Sequence, residues 1–296
     1  MKLSTLADEY LKFFAARGAS PKTIECYDLT YRQLVAFLLG LGQENDLRNF
    51  TPENIDAFAT YLAEKKRKAS SVNVKLAALH SLGEYGKKTK DARGKYHLAE
   101  NPLDRVFRPK RVKPAEKYLG KVELQQLLAV ECPAPARVAL ELLVDTALRA
   151  SELTSANVEH LRLDGERVLL SVRVKGGRYR EVTLGREAAD KLIESLRFRE
   201  ARPHDPLLVN ERGERYTRTS LSEMVLRLAA RAGITRIPVR AHVLRHSVAT
   251  LADETGASVP TIAAMLNHSD VHTAQRYIHR NEAVDAARAA VRGALR

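Results

Sequence analysis

The sequence predicts a mainly helical protein in two parts with one small antiparallel sheet, and three observations carry that expectation. Up to about residue 105, apolar residues recur at three- and four-residue spacing, the period of a helix face. Alternation of apolar and polar residues is confined to 158–184, where Asp164-Gly165 and Gly176-Gly177 supply turns. Between these regions lies 108–117, with two prolines and five basic residues, a composition that resists helix and reads as a linker. The predicted layout is an all-helical part over 1–107, a basic linker over 108–117, and an α+β part over 118–296.

The elements follow in order. Leu6, Tyr10, Phe13 and Phe14 have helical spacing, with Thr5 as a candidate N-cap and Gly18 as a stop. Ser20-Pro21 opens a second helix, with an apolar stripe from Ile24 through Leu38 to Gly40. Thr51-Pro52 opens a third, with Ile55, Phe58, Tyr61 and Leu62 as its core face. A fourth is expected over 71–85, burying Val74, Leu76, Leu79 and Leu82. In the second part, 122–129 and the strongly apolar 136–146 read as helices. Strands are expected over 158–163, 167–174 and 179–184, and helices over 186–200, 219–232, 244–255 and 259–266. Thr219 or Ser220 can cap the second of these four, Gly256 can end the third, and Pro260 suits the first turn of the last. The tail from Asn281 has apolar positions at Val284, Ala287, Val291 and Leu295, one buried helical stripe.

Charge narrows the partners. The 296 residues carry 49 Lys+Arg against 36 Asp+Glu, a net charge of +13. Residues 1–107 hold 17 basic and 13 acidic groups and residues 108–296 hold 32 and 23, so both parts are basic. That balance favours a polyanion, nucleic acid before acidic membrane. A basic linker joining two basic parts suggests a clamp around a duplex. Lys65-Lys66-Arg67-Lys68, beside Ser70 and Ser71, would contact phosphate, as would Arg108, Lys110, Arg111 and Lys113 of the linker and Arg178 of the sheet. Helices near Lys22–Arg32 and Arg212–Arg227 are candidates for reading bases. Cys26 and Cys132 are too few and too far apart for a disulfide framework and read as buried thiols of a reducing compartment. The N-terminus has no apolar signal core and no uncharged apolar run reaches spanning length, so a cytoplasmic protein without a membrane partner is expected.

The chemistry concentrates late in the chain. His242 and Arg245 are three residues apart on one predicted helix, followed by Leu266-Asn267-His268 and then Tyr277. A guanidinium to grip an anion, an imidazole to move a proton and a phenol to attack form a phosphoryl-transfer set. Arg149 stands where one apolar helix ends and another begins, and in such company a guanidinium needs an anionic partner, for which Glu152 is at hand. His268, His272 and His279 are close in sequence, but lack the acidic or Cys ligands that would make zinc the expectation.

Taken together these residues resemble the tyrosine recombinases, and among them the Xer-type recombinases of bacteria and archaea. The resemblance spans essentially the whole chain. It rests on Thr146-Ala147-Leu148-Arg149-Ala150-Ser151-Glu152-Leu153, Lys175-Gly176-Gly177-Arg178, His242-Val243-Leu244-Arg245-His246-Ser247, Leu266-Asn267-His268, and Thr273 through Tyr277. It implies a helical core-binding (SAM-like) DNA-binding domain and an α+β catalytic domain, together a C-shaped clamp on double-stranded DNA. It also implies a site-specific recombinase that needs no cofactor and no metal. Tyr277 would attack a DNA phosphodiester to give a 3′-phosphotyrosyl link. Arg149 and Arg245 would hold the phosphate, His242 would accept the phenol proton, Lys175 would protonate the leaving 5′-oxygen, and His268 would add a hydrogen bond. Glu152 would orient His242. The tail would exchange between subunits of a tetramer on synapsed sites, homomeric or shared with a second recombinase, and a DNA translocase would be a further partner in the nucleoid. The task implied is resolution of chromosome or plasmid multimers, with integration of a mobile element as another. Two positions depart from the family pattern, which has Gly where Ala147 and Asn267 stand. A type IB topoisomerase-like nicking and resealing enzyme uses the same residue set without exchanging strands. A DNA binder that keeps the fold without cutting is the non-enzymatic alternative.

Overall fold

The structure is a computed structural model. It describes residues 1–110, 117–174, 177–266 and 277–295, the last with backbone alone over 277–283. The chain divides into two compact units, Met1–Pro114 and Ala115–Arg296.

The first unit is built on α1 (Leu3–Ala16), α2 (Pro21–Gly40), α3 (Pro52–Glu64) and α4 (Ala69–Lys88), with short 3-10 turns at Leu47–Asn49 and Pro102–Arg105. Ser20 and Thr51 cap α2 and α3, each hydroxyl accepting from a backbone N–H three residues on. Helix α1 starts earlier than expected, at Leu3 after Lys2, so Thr5 lies inside it and caps nothing. The core gathers Leu6, Leu34, Leu38, Ile55, Phe58, Leu76, Leu79 and Leu82, all essentially inaccessible to solvent. Val74 does not join them. It is 46 % exposed, because the buried stripe of α4 runs through Val72, Leu76 and Leu79 and leaves residue 74 on the opposite side. Tyr61 is likewise 39 % exposed, its ring under the Lys65 ammonium at 5.6 Å. Cys26 is exposed rather than buried, on the outer face of α2.

One close approach shapes the end of this unit. The Asn101 amide donates to the His80 carbonyl and to Glu84, both at 3.1 Å, tying the 3-10 turn to α4. A Cβ on Gly83 would stand 2.0 Å from Asn101 Oδ1, so only glycine admits that contact. Past it, Asn73 Nδ2 donates to the Pro109 carbonyl at 2.9 Å, fixing where the chain leaves the unit.

The second unit runs α5 (Lys121–Ala129), α6 (Ala134–Thr146), α7 (Ala150–Thr154), a 3-10 turn (Val158–His160), β1 (Leu161–Asp164), β2 (Arg167–Arg173), β3 (Tyr179–Thr183), α8 (Arg186–Phe198), α9 (Arg218–Arg231), α10 (Ala241–Glu254), α11 (Val259–Met265) and α12 (Tyr277–Leu295). The strands pair antiparallel in the order β1-β2-β3, with Asp164 opposite Arg167 and Arg173 opposite Tyr179. The first predicted strand is shorter than expected, since 158–160 closes into the 3-10 turn. Helix α9 is capped by Thr217, whose hydroxyl accepts from Ser220 N at 3.0 Å, instead of by Thr219 or Ser220. Helix α10 begins at Ala241, three residues earlier than expected, which places His242 on the helix.

Helix α6 is the axis of this unit. Leu140, Leu142 and Leu143 are fully enclosed among Leu170, Leu192, Val225, Leu244 and Val248. Helix α12 turns Val284, Ala287 and Val291 inward, so the tail's stripe is buried against its own unit. Polar bonds reinforce it: Arg292 reaches Asp145 Oδ1 at 2.6 Å, Asp145 Oδ2 accepts from Gly185 N at 2.8 Å, and Thr183 donates to Asp285 at 3.1 Å.

Candidate active site

The site grows from the end of α6. Thr146, wholly buried, donates its hydroxyl to the Leu142 carbonyl at 2.6 Å and accepts from Leu148 N at 3.2 Å. Between them Ala147 leaves the helix at φ 51°, ψ 26°, the left-handed conformation that glycine adopts without cost. That single reversal turns the chain so that Arg149 becomes the N-cap residue of α7.

Glu152 then fixes Arg149. Its Oε2 accepts from the Arg149 backbone N and its Oε1 from Nη1, both at 2.9 Å. The carboxylate is 5 % exposed and the guanidinium 43 %, so the anchor is buried while the cation reaches solvent. To orient His242 is the role expected of Glu152 from the family resemblance. Its two oxygens serve Arg149, and among the described residues it makes no hydrogen bond to the imidazole. The carboxylate in the first turn of α7 also suits the positive end of the helix.

Helix α10 supplies the second cation from the opposite side. Arg245 is 5 % exposed and donates Nη1–H to the Ala147 carbonyl at 2.7 Å and Nη2–H to the Leu266 carbonyl. One guanidinium thus joins the left-handed residue after α6 to the residue that ends α11. Burial, and then the neighbouring charge of Arg149, bring its pKa down to about 10, which leaves it cationic at neutral pH. His242 is exposed one turn earlier, with its pKa pushed below the ordinary value by partial desolvation and by His246, Arg245 and Arg149. Its Nε2 meets Nε2 of His246 at 3.0 Å.

Arg180 on β3 contributes as well, although no motif marks it in the sequence. Its Nη1 donates to the Ala264 carbonyl at 2.9 Å, so together with Arg245 it satisfies carbonyls left open at the end of α11. The signal available in sequence was its place on a strand two residues after Arg178, which any exposed strand arginine shares. Arg288 on α12, 3 % exposed and beside Asp285 at 3.5 Å, completes a dense arrangement of guanidinium groups.

Of the predicted catalytic residues, Arg149, Glu152, His242 and Arg245 therefore converge on the α6–α7 junction. Lys175, His268 and the Tyr277 side chain lie outside the described residues, as do His272 and the His279 side chain. The backbone of α12 begins at Tyr277. Among the described residues, a histidine and carboxylates come within metal-ligand reach at His80, Glu84 and Asp104. There Glu84 is engaged by Lys87 at 2.8 Å and Lys88 at 3.0 Å, which hold its carboxyl down at about 2.

The described members of the expected phosphate-contacting set in the first unit are exposed. Lys65, Lys66, Arg67 and Lys68 form the turn between α3 and α4, with Lys66 at φ 55°, and Arg108 and Lys110 are open to solvent. Arg111 and Lys113 lie outside the described residues. Arg178 is exposed at the start of the turn into β3, its carbonyl accepting from Val174 N at 2.8 Å. A further basic cluster follows α4: Asp91 Oδ1 accepts from the backbone N–H groups of Arg93 and Lys95, both at 2.9 Å, holding out Lys90, Arg93, Lys95 and Tyr96. No helix among the described residues is long and apolar enough to cross a membrane.

Comparison with known proteins gives the chain its relatives. Residues 117–283 match the phage integrase family and residues 7–90 the N-terminal SAM-like domain of phage integrases. Tyrosine recombinase XerD of Listeria monocytogenes serotype 4b (strain F2365) is 28 % identical, with 94 % of each chain covered. Tyrosine recombinase XerD of Haemophilus influenzae (strain ATCC 51907 / DSM 11121 / KW20 / Rd) is 30 % identical, again over 94 % of each chain. The fold is shared with XerH site-specific recombinase, solved as a post-cleavage complex on a palindromic difH substrate. The TM-score there is 0.72 at 24 % identity, covering 86 % of this chain and 75 % of that one. By motif order, fold and relatedness along its length, the chain belongs to the phage integrase family, among its Xer-type tyrosine recombinases.

Proposed function

We propose that this protein cuts and rejoins duplex DNA at a specific site through a 3′-phosphotyrosyl intermediate on Tyr277. The observation that carries the reading is the convergence of Arg149 and Arg245. The two cations come from different helices and are fixed through Glu152, Ala147 and Leu266, beside an imidazole held below its ordinary pKa. A phosphodiester passing through a pentacoordinate transition state gathers charge on its non-bridging oxygens, and preorganised guanidinium groups stabilise that charge best. The attacking phenol, with an ordinary pKa of about 10, must shed its proton, and a neutral His242 can accept it. Lys175 would protonate the departing 5′-oxygen and His268 would donate to the phosphate. The energy of the broken bond is kept in the tyrosyl link, so rejoining needs neither a nucleotide nor a metal.

Both units would contribute to binding. Lys65 to Lys68, Arg108, Lys110, Arg111, Lys113 and Arg178 suit phosphate contacts, which position a protein without specifying sequence. Strand exchange between two duplexes needs four active sites, so the working form would be a tetramer on synapsed sites. Resolution of chromosome or plasmid multimers in the nucleoid is the task we assign, with a DNA translocase as the partner that would time it.

The test begins with Tyr277→Phe protein, which selects its site from a library of random duplexes. Wild-type protein is then given a supercoiled plasmid carrying two copies of that site. Recombined circles support the reading. Relaxed plasmid alone would identify a nicking and resealing enzyme, and unchanged plasmid bound by the protein would identify a non-cutting binder.

A further inference from the structure

The mechanism above leaves one side chain at the site without a task. His246 lies one helical turn beyond His242 on α10, on the same exposed face. The two rings meet edge to face, with centroids 4.4 Å apart and planes at 83°, and their Nε2 atoms stand 3.0 Å from each other. That separation is a hydrogen bond between two ring nitrogens, so one nitrogen carries the proton and the other accepts it.

We infer that His246 is a positioning residue: it accepts the Nε2–H of His242 and leaves Nδ1 of His242 as the ring nitrogen that takes up the tyrosine proton. The inference rests on the reading of His242 as proton acceptor and says which atom does the accepting. Neutral imidazole has one lone pair, and the nitrogen bonded to a neighbour is not available to a reacting group. With Nε2 committed to His246, the basic atom is Nδ1, and the tautomer is set by the partner on the other side of the ring. In the opposite arrangement His246 would donate, His242 would carry its proton on Nδ1, and no lone pair would remain for the phenol.

The step balances simply. The phenol proton moves to Nδ1 as the tyrosine oxygen bonds to phosphorus, and the bond from phosphorus to the 5′-oxygen breaks with that oxygen taking a proton from Lys175. His242 becomes an imidazolium whose Nε2–H still points at His246. Among the described residues the charged groups around His242 are Arg149 from the start of α7 and Arg245 from α10 itself, with Glu152 behind Arg149. Partial burial, and then the guanidinium groups of Arg245 and Arg149, hold His242 below its ordinary pKa, so the neutral base persists to lower pH.

The experiment uses full-length protein with isotope-labelled histidine, free of DNA, in three forms: wild type, His246→Gln and His246→Ala. A His242→Asn sample assigns the resonance. Glutamine can accept the Nε2–H but adds no ring and no imidazole charge; alanine does neither. Both substitutions are at an exposed position, which leaves the fold intact. In wild type, nitrogen shifts should report a protonated Nε2 and a bare Nδ1 on neutral His242. His246→Gln should keep that tautomer, and His246→Ala should lose it. The His242 titration midpoint should stay near its wild-type value in His246→Gln, which keeps the acceptor, and fall in His246→Ala, which loses it. In parallel, the rate of covalent adduct formation on a nicked substrate should fall about tenfold at its plateau in His246→Ala and little in His246→Gln, with the acid limb moving to lower pH in His246→Ala alone. A protonated Nδ1 in wild type, or the same tautomer and midpoint in all three proteins, overturns the inference. The predicted shifts with an unmoved acid limb would uphold the contact with His246 and refute His242 as the acceptor.

Discussion

The Arg245 guanidinium donates to the carbonyl of Ala147, the one residue between α6 and α7 that takes the left-handed conformation. The reversal of the chain and the placement of a phosphate-binding cation are thus one feature. The carbonyl is available because Ala147 turns out of the helix, and Arg149 follows on the correct side because of the same turn.

That relationship makes Ala147 testable. A left-handed alanine costs about 1–2 kcal/mol. Replacing it with glycine relieves this but removes a buried methyl worth about 0.8 kcal/mol and adds glycine's extra chain entropy, about 0.5–1 kcal/mol. Ala147→Gly should therefore change stability by less than about 1 kcal/mol and leave Arg245 in place. Ala147→Val, a β-branched residue forced to positive φ in a closed core, should cost more than about 3 kcal/mol. Urea denaturation of the two variants decides the matter.

Glu152 is expected to act through Arg149. Glu152→Gln keeps one acceptor and removes the charge that neutralises the guanidinium, so stability should fall by about 1–3 kcal/mol. Adduct formation should slow without a change in the pH at which His242 titrates. A shift of that titration would return Glu152 to the role of orienting His242.

The docking of α12 depends on Asp145. Asp145→Ala leaves the Gly185 N–H and the Arg292 guanidinium without their acceptor. Because Arg292 is 32 % exposed and can turn to water, the cost is about 1–3 kcal/mol, less than for a sealed pair. Hydrogen exchange should rise over 284–295 before it rises in α6.

For the first unit, the prediction concerns salt. Changing Lys65, Lys66, Arg67 and Lys68 to alanine should weaken DNA binding alike on specific and random duplexes. It should also reduce the slope of log affinity against log salt by about 0.9 for each phosphate that the turn no longer neutralises. An unchanged slope would remove this turn from the interface.

Much of this architecture was legible in the chain because local chemistry and tertiary need agree. Ser20 and Thr51 cap helices where a hydroxyl directly precedes a proline, and Gly165 turns where Asp-Gly stands. Periodicity was less reliable at stripe edges. Val74 carries the same apolar side chain as Val72, and only the direction of packing on α4 exposes one and buries the other. The Arg149–Glu152 pair could be named from its spacing, but the second contact, from the Arg149 backbone N to the same carboxylate, depends on a backbone reversal at an alanine. Arg180 was illegible for a related reason: it gains its task only when α11 ends against β3.

The most direct measurement of the central claim is a covalent one. Wild-type protein and Tyr277→Phe are incubated with a duplex nicked near the selected site, so that the fragment bearing the 5′-hydroxyl diffuses away after cleavage. The adduct is then digested and its peptides are sequenced by mass spectrometry. The expected result is an adduct in wild type only, with the nucleotide attached to Tyr277 through a 3′-phosphate. An adduct that persists in Tyr277→Phe, or one attached to another residue, would contradict a 3′-phosphotyrosyl mechanism on Tyr277.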